Sequence, residues 1–294
     1  MIKELDIKIS YKCNNACVFC LNKEKRKYSD NFELIKKTVE KFAEKGVEKL
    51  IISGGEPLIS KNIFDLLVLG KQKGIKFFEI QTNGRMFYYE NIVRKLKDFG
   101  NVGFLVSFHF PTNELYKKYC QSEGFFQVIS GLKNLIKHNH YFTINTVIMK
   151  QNIPYLESIL RILKKLGINK NIQYRFIDGK NVINDYKEFV PRYSECLPFI
   201  KKVIEKNRDM GIALKEFPFC VLKKSFRKTA KLFFINHERF NLCAYGEMLT
   251  TKEIISTQFI FPKCNKCLYK LKCLGVRKEY IDIYGAKEFN AIIK

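Results

Sequence analysis

Three cysteines crowd the stretch YKCNNACVFCLNK near the N-terminus: Cys13, Cys17 and Cys20. Thiols at this density bind metal or do redox chemistry, and their C-x3-C-x2-C spacing helps to choose the metal. A structural zinc site takes four ligands, typically in C-x2-C pairs, and no further cysteine comes before Cys120. Three thiolates suit an iron–sulfur cluster in which one iron is left for a ligand that the protein does not supply. A second set lies in the tail: Cys220 in FPFC, Cys243 in NLCAYGE, and Cys264, Cys267 and Cys273 in KCNKCLYKLKCLG. C-x2-C-x5-C is again a metal spacing, with a cluster and a structural zinc both open. Cys120 and Cys196 stand apart and are expected to be small buried residues or surface thiols.

Eight of the ten cysteines fall in these two sets. No apolar signal-peptide core opens the chain and no run of about 18 apolar residues follows, so the expectation is a cytoplasmic protein without a membrane span. In that reducing setting clustered cysteines serve metals more often than disulfides. The net charge of +24 favours acidic partners, and residues 215–278 hold fourteen Lys/Arg against four Asp/Glu, densest in VLKKSFRKTAK (221–231). Twenty-six Phe and fifteen Tyr with no Trp foretell aromatic-rich packing.

The elements that must position the thiols follow from periodicity. ELDIKIS (4–10) alternates as a strand, and FELIKKTVEKFAEKG (32–46) repeats apolar residues at helical spacing up to a glycine stop. Strand and helix patterns then alternate at about thirty residues per unit as far as NIQYRFID (171–178). Six strands so arranged imply right-handed βαβ crossovers and an α/β fold with a parallel sheet, either a partial barrel or a doubly wound open sheet. Both place functional residues at the C-terminal ends of the strands. The cysteine loop, SGGEP (53–57), QTNG (81–84) and SFHF (107–110) all lie there. A helix over about 186–210 ends the regular beat, and a loop-rich, cysteine-rich tail follows. The expected division is residues 1–210 and 211–294.

Cys13, Cys17, Phe19 and Cys20 together resemble the CxxxCxφC signature of the radical SAM superfamily, in which φ is aromatic. The resemblance implies a partial (βα)6 TIM-like barrel over roughly residues 4–180. It implies a [4Fe–4S] cluster whose open iron binds S-adenosylmethionine (SAM), cleaved reductively to a 5′-deoxyadenosyl radical that abstracts a hydrogen from substrate. It further implies SAM contacts at Gly54, Gly55 and Glu56 of SGGEP, at Thr82 and Asn83 of QTNG, and at Ser107, with Asn145 and Arg175 on the next two strands as further contacts. The tail resembles the superfamily's SPASM and twitch modules, which carry an auxiliary [4Fe–4S] cluster. The SPASM pattern has one more cysteine where this chain has Arg277, so a shortened module with one cluster is expected, on Cys264, Cys267 and Cys273 with Cys220 or Cys243 as the fourth ligand.

Superfamily members with such modules are largely peptide maturases. The resemblance therefore implies a peptide or protein substrate, an acidic one given the basic tail, that is crosslinked or epimerised. It also implies an electron donor such as flavodoxin or ferredoxin, and a separate peptide-recognition protein. The alternatives are a small-molecule substrate that is dehydrogenated or rearranged, and RNA. The sequence singles out no acid–base residue.

Overall fold

The computed structural model describes residues 3–222, 231–232, 238–242, 248–250, 258–271, 273 and 275–293. The chain forms two compact units.

The first unit comprises Met1–Phe108, Thr112–Thr143 and Asn236–Glu253. Its parallel strands β1 (Lys3–Ser10), β2 (Lys49–Gly54), β3 (Phe77–Thr82) and β4 (Val102–Ser107) pair in sequence order. Strand Glu238–Leu242 continues the sheet beyond β1, parallel to it. Between the strands run α1 (Phe32–Glu44), α2 (Ile63–Gln72) and α3 (Glu90–Lys97), and α4 (Asn113–Cys120) and α5 (Phe125–Lys137) follow β4. Helix α1 shows how sequence sets these elements. The Asn31 side chain caps its start by accepting from the Leu34 amide at 3.0 Å, and Ile35, Thr38, Val39 and Phe42 make a buried stripe at helical spacing.

The polar face of β1 is enclosed rather than solvated. Glu4 and Asp6 are 6 % and 4 % exposed. Asp6 accepts from Lys8 Nζ and Ser53 Oγ, both at 2.7 Å, while Lys49 bridges Glu4 (3.3 Å) and Glu79 (2.8 Å). Buried charge is tolerated because each group is paired. A charged inner face and strands that neighbour one another in sequence order both argue against a doubly wound sheet. There the order reverses, and helices cover two apolar faces.

The second unit comprises His109–Pro111, Ile144–Ile235 and Ile254–Lys294. Strand β5 (Phe142–Ile148) begins in the first unit and runs into the second, where β6 (Ile172–Phe176), β7 (Ala213–Lys215) and β8 (Lys231–Leu232) follow it, again parallel and in order. The helices are α6 (Leu156–Lys165), α7 (Tyr186–Phe189), α8 (Tyr193–Lys206) and α9 (Lys278–Tyr284). The single helix expected over about 186–210 is broken between α7 and α8. Val190 precedes Pro191 and is extended (φ −89°, ψ 116°), the conformation that a following proline enforces. Phe176, Tyr193, Phe217, Tyr280 and Phe289 pack ring on ring, with Phe176 and Tyr193 stacked at 4.2 Å. That is the aromatic core the composition foretold. Among the described residues no helix is long and apolar enough to cross a membrane.

Candidate active site

The cysteine loop follows β1 and is moored to α4. The Ala16 amide donates to Cys120 O and the Val18 amide to Tyr119 O, both at 3.0 Å, so loop amides satisfy carbonyls that the last turn of α4 leaves open. One turn earlier Tyr116 Oη accepts from Asn15 Nδ2 at 2.9 Å. Sequence reasoning had not placed a helix at 113–120. It also left Cys120 apart, whereas the thiol is buried against Cys17 and hydrogen-bonds it.

The SGGEP turn lies directly on the chain that enters this loop. Gly55 N donates to Ser10 O at 2.8 Å and Glu56 N to Lys12 O at 2.9 Å. A Cβ at Gly54 would stand 2.2 Å from Ser10 O, and one at Gly55 2.1 Å from Lys12 O. Gly54 also has φ +121°, which side chains rarely adopt. The two glycines are thus explained by the approach of one loop to another.

Glu56 ties that turn to QTNG. It is fully buried, and its carboxylate accepts from Thr82 Oγ1 (2.7 Å), the Asn83 amide (2.7 Å) and the Leu58 amide (3.2 Å). Burial pushes its pKa up to about 7, against the pull of those three donors. Asn83 in turn reaches the cysteine loop, with Nδ2 donating to Asn14 Oδ1 at 2.6 Å and lying 3.8 Å from Cys13 Sγ. Arg85, just past QTNG, was not anticipated. Its guanidinium donates to Asn14 O, Asn15 Oδ1 (3.0 Å), Ser122 Oγ (2.8 Å) and Gln127 Oε1 (2.7 Å), clamping the loop to the α4–α5 turn and the first turn of α5.

The three thiols share one electrostatic environment. Cys13 is pushed up to about 11, chiefly by burial, and Cys20 is raised by the same cause. Cys17 is raised by its hydrogen bond with Cys120 and by burial, and it raises both of the others in turn. Arg26 lowers all three. Thiols ligate as thiolates, so a cationic metal group must supply most of what burial opposes. Among the described residues, no three His, Cys, Asp or Glu side chains converge tightly enough for a single metal ion. A four-iron cluster places its thiolates on separate irons, and an all-sulfur, three-thiol set fits that group better than a lone zinc. Ser107 ends β4 half-buried, and Phe19 lies half-buried in the cysteine loop.

The second unit holds the other expected residues. Asn145 Oδ1, on β5, accepts from Gln173 Nε2 of β6 at 2.8 Å. Arg175 pairs with Glu216 at 2.6 Å, and Arg277 pairs with Asp178 and lies 3.9 Å from Glu216. The arginines hold the Glu216 carboxyl down at about 2 despite its partial burial. Cys220 is pushed up to about 11, mainly by burial, with Cys273 and Cys264 close enough to add to the rise. Cys267 follows Cys264 in the same turn, its amide donating to Cys264 O at 3.0 Å. Cys243 lies outside the described residues.

Residues 7–171 match the sequence profile of the radical SAM superfamily. The chain belongs to that superfamily. Family membership implies SAM and a [4Fe–4S] cluster, and hence an enzyme. Among its relatives is the probable GTP 3',8-cyclase of Methanocaldococcus jannaschii, 32 % identical over 214 residues and covering 70 % of each chain. The GTP 3',8-cyclase of Aquifex aeolicus is 29 % identical over 249 residues, covering 79 % of this chain and 70 % of its own. In fold the chain is similar to SuiB of Streptococcus suis, solved with its precursor peptide SuiA, at TM-score 0.70 and 15 % identity over 99 % of this chain and 75 % of SuiB. That likeness bears out an α/β fold of the partial-barrel type. The expectation of a peptide or protein substrate is corrected: the sequence relatives are named as GTP cyclases, and a 15 % likeness to a peptide-bound enzyme carries only the fold.

Proposed function

We propose that the chain is a radical SAM enzyme acting on a small molecule, with GTP the first substrate to test. The observation that carries this reading is the 32 % identity to a probable GTP 3',8-cyclase, held over 70 % of both chains. The charge of +24 accords with a polyphosphate substrate. Cys13, Cys17 and Cys20 hold the cluster, and Gly54, Gly55, Glu56, Thr82, Asn83 and Ser107 surround the SAM position. When bound, the cluster supplies the electron that cleaves SAM. The chain's own part is positional. Glu56 carries two carboxylate oxygens, and Oε2 has one donor in the Asn83 amide, leaving it capacity to accept from the SAM ammonium. Thr82 and Asn83 fix the carboxylate's orientation, and Arg85 fixes the loop that bears the thiols.

In this reading the cysteine-rich tail carries a shortened twitch-like module holding a second [4Fe–4S] cluster on Cys264, Cys267 and Cys273. Cys220 is the fourth ligand, supported by its closeness to Cys264 and Cys273. Anaerobically reconstituted protein then carries about eight irons, and the Cys13/Cys17/Cys20→Ala variant about four. The substrate test is 5′-deoxyadenosine formation from SAM with GTP, ATP, GDP or no addition, under a chemical reductant. GTP-specific stimulation together with a new nucleotide product supports the assignment. Equal background cleavage under all four conditions overturns GTP as substrate, while the radical SAM assignment stands.

A further inference from the structure

Arg26 stands in a single helical turn, Glu24–Lys27, just past the last cysteine of the loop, and no motif accounts for it. Its Nη2 donates to Asn15 O at 2.7 Å, and the amide of that same Asn15 donates to Cys13 Sγ at 3.4 Å. The guanidinium also hydrogen-bonds the Cys20 thiol and is a favourable charge for all three thiolates. Its Nε is buried and has no hydrogen-bond partner. A buried N–H without an acceptor is costly and is rarely retained in native proteins unless a bound group accepts from it. The neighbouring thiols are where a cluster brings sulfur atoms with acceptor character.

We propose that Arg26 is a positioning residue for the cluster held by Cys13, Cys17 and Cys20, offering its buried Nε–H and its positive charge to the cluster's sulfur atoms. A four-iron cluster gains an electron when reduced, and a nearby cation with a hydrogen-bond donor favours the reduced form. Arg26 therefore sets the midpoint potential upward, toward the reach of a biological reductant. The assignment rests on the cluster reading above, and the two fail separately.

The experiment is an EPR-monitored potentiometric titration of the anaerobically reconstituted protein, as wild type, Arg26→Gln and Arg26→Lys, with iron counted in each. The signal that changes on adding SAM identifies the N-terminal cluster. A wild type with no SAM-sensitive signal sinks the cluster reading itself. With the signal present, the expected result is a more negative midpoint in R26Q than in wild type, with R26K closer to wild type. Equal midpoints in wild type and R26Q overturn the proposal. If R26Q binds too little iron to titrate, R26K decides. Retention of the cluster with a near-wild-type midpoint supports an electrostatic role. Loss of iron from both variants means that the side chain only packs the loop, and overturns it.

Discussion

Glu56→Gln isolates what it costs to bury the carboxylate at the centre of the site. Burial raises its pKa from 4.5 to about 7, so the folded chain holds that proton more tightly than the unfolded chain does. The stability this confers is complete below about 4.5 and is lost as pH rises through about 7. At about 1.4 kcal/mol per pH unit, the loss comes to about 3 kcal/mol. The side chain is 0 % exposed, so no allowance for solvent screening is needed. Glutamine keeps the shape and one acceptor for Thr82 and Leu58, but its NH2 group cannot accept from the Asn83 amide. E56Q should therefore be less stable than wild type at pH 5, by about 1–2 kcal/mol, and should match or exceed it at pH 8. Urea melts of both proteins from pH 5 to 8, under anaerobic reducing conditions, measure the difference directly, because every other titrating group is common to both. A stability gap constant within about 0.5 kcal/mol across that range would refute the reasoning, since it would mean that the carboxyl titrates alike folded and unfolded. Under the proposed SAM contact, saturating SAM should stabilise wild type more at pH 8 than at pH 6, because an ammonium partner favours the ionised carboxylate.

Gly55→Ala forces a Cβ to within 2.1 Å of Lys12 O and 2.6 Å of Tyr11 O, both backbone atoms that cannot swing aside. A loss of about 3 kcal/mol in a urea melt is expected, together with reduced iron at the N-terminal set. Gly124→Ala meets the Arg85 side chain at 2.4 Å, which can move only by releasing its hold on Asn14 and Asn15. Iron retention after desalting should fall more than melting stability does. Arg175→Met leaves Glu216 with the more distant Arg277 and with Lys215. The pair is partly solvated, with Arg175 30 % and Glu216 19 % exposed, so the expected cost is about 2 kcal/mol rather than the roughly 3–5 of a fully buried pair. A melt unchanged within about 0.5 kcal/mol would show the pair to be ornamental.

The alternating elements up to β6 were legible because their buried faces repeat at 2 or 3.6 residues. Helix α1 is the clearest case, expected over 32–46 and observed as Phe32–Glu44. What escaped was short or polar. Helix α4 buries only Tyr116 and Cys120, one i, i+4 pair that no periodicity test resolves from chance. Strand β7 is three residues long. The enclosed charges of β1 read in sequence as an ordinary solvent face, because alternation says which residues share a face and not what covers it. Within the site the motif residues were identifiable, yet the structure gives some of them different work. The glycines of SGGEP admit neighbouring backbone, and Glu56 is tied to QTNG and Leu58 by three hydrogen bonds. Arg85 and Arg26 carried no signal beyond being basic in a chain with 53 Lys and Arg.

Arg85, α4 and Glu56 share a consequence for how the site is assembled. A three-cysteine loop has too few ligands to be ordered by metal alone, and a misplaced thiol would leave the open iron pointing away from its cosubstrate. In this chain the order comes from polar contacts that need no metal: two backbone bonds to α4, the Asn15–Tyr116 bond, and the Arg85 clamp. Geometry held by surrounding side chains is what an enzyme handling a reactive radical requires, because misalignment of reacting atoms by about 1 Å can cost about 100-fold in rate. The loop is therefore expected to be in place before the cluster arrives. Hydrogen exchange can test this on iron-free protein. Protection of the Ala16 and Val18 amides comparable to that of the β1 core would support a preformed cradle. Exchange at the rate of an exposed loop would place the ordering after metal uptake and leave Arg85 a secondary role.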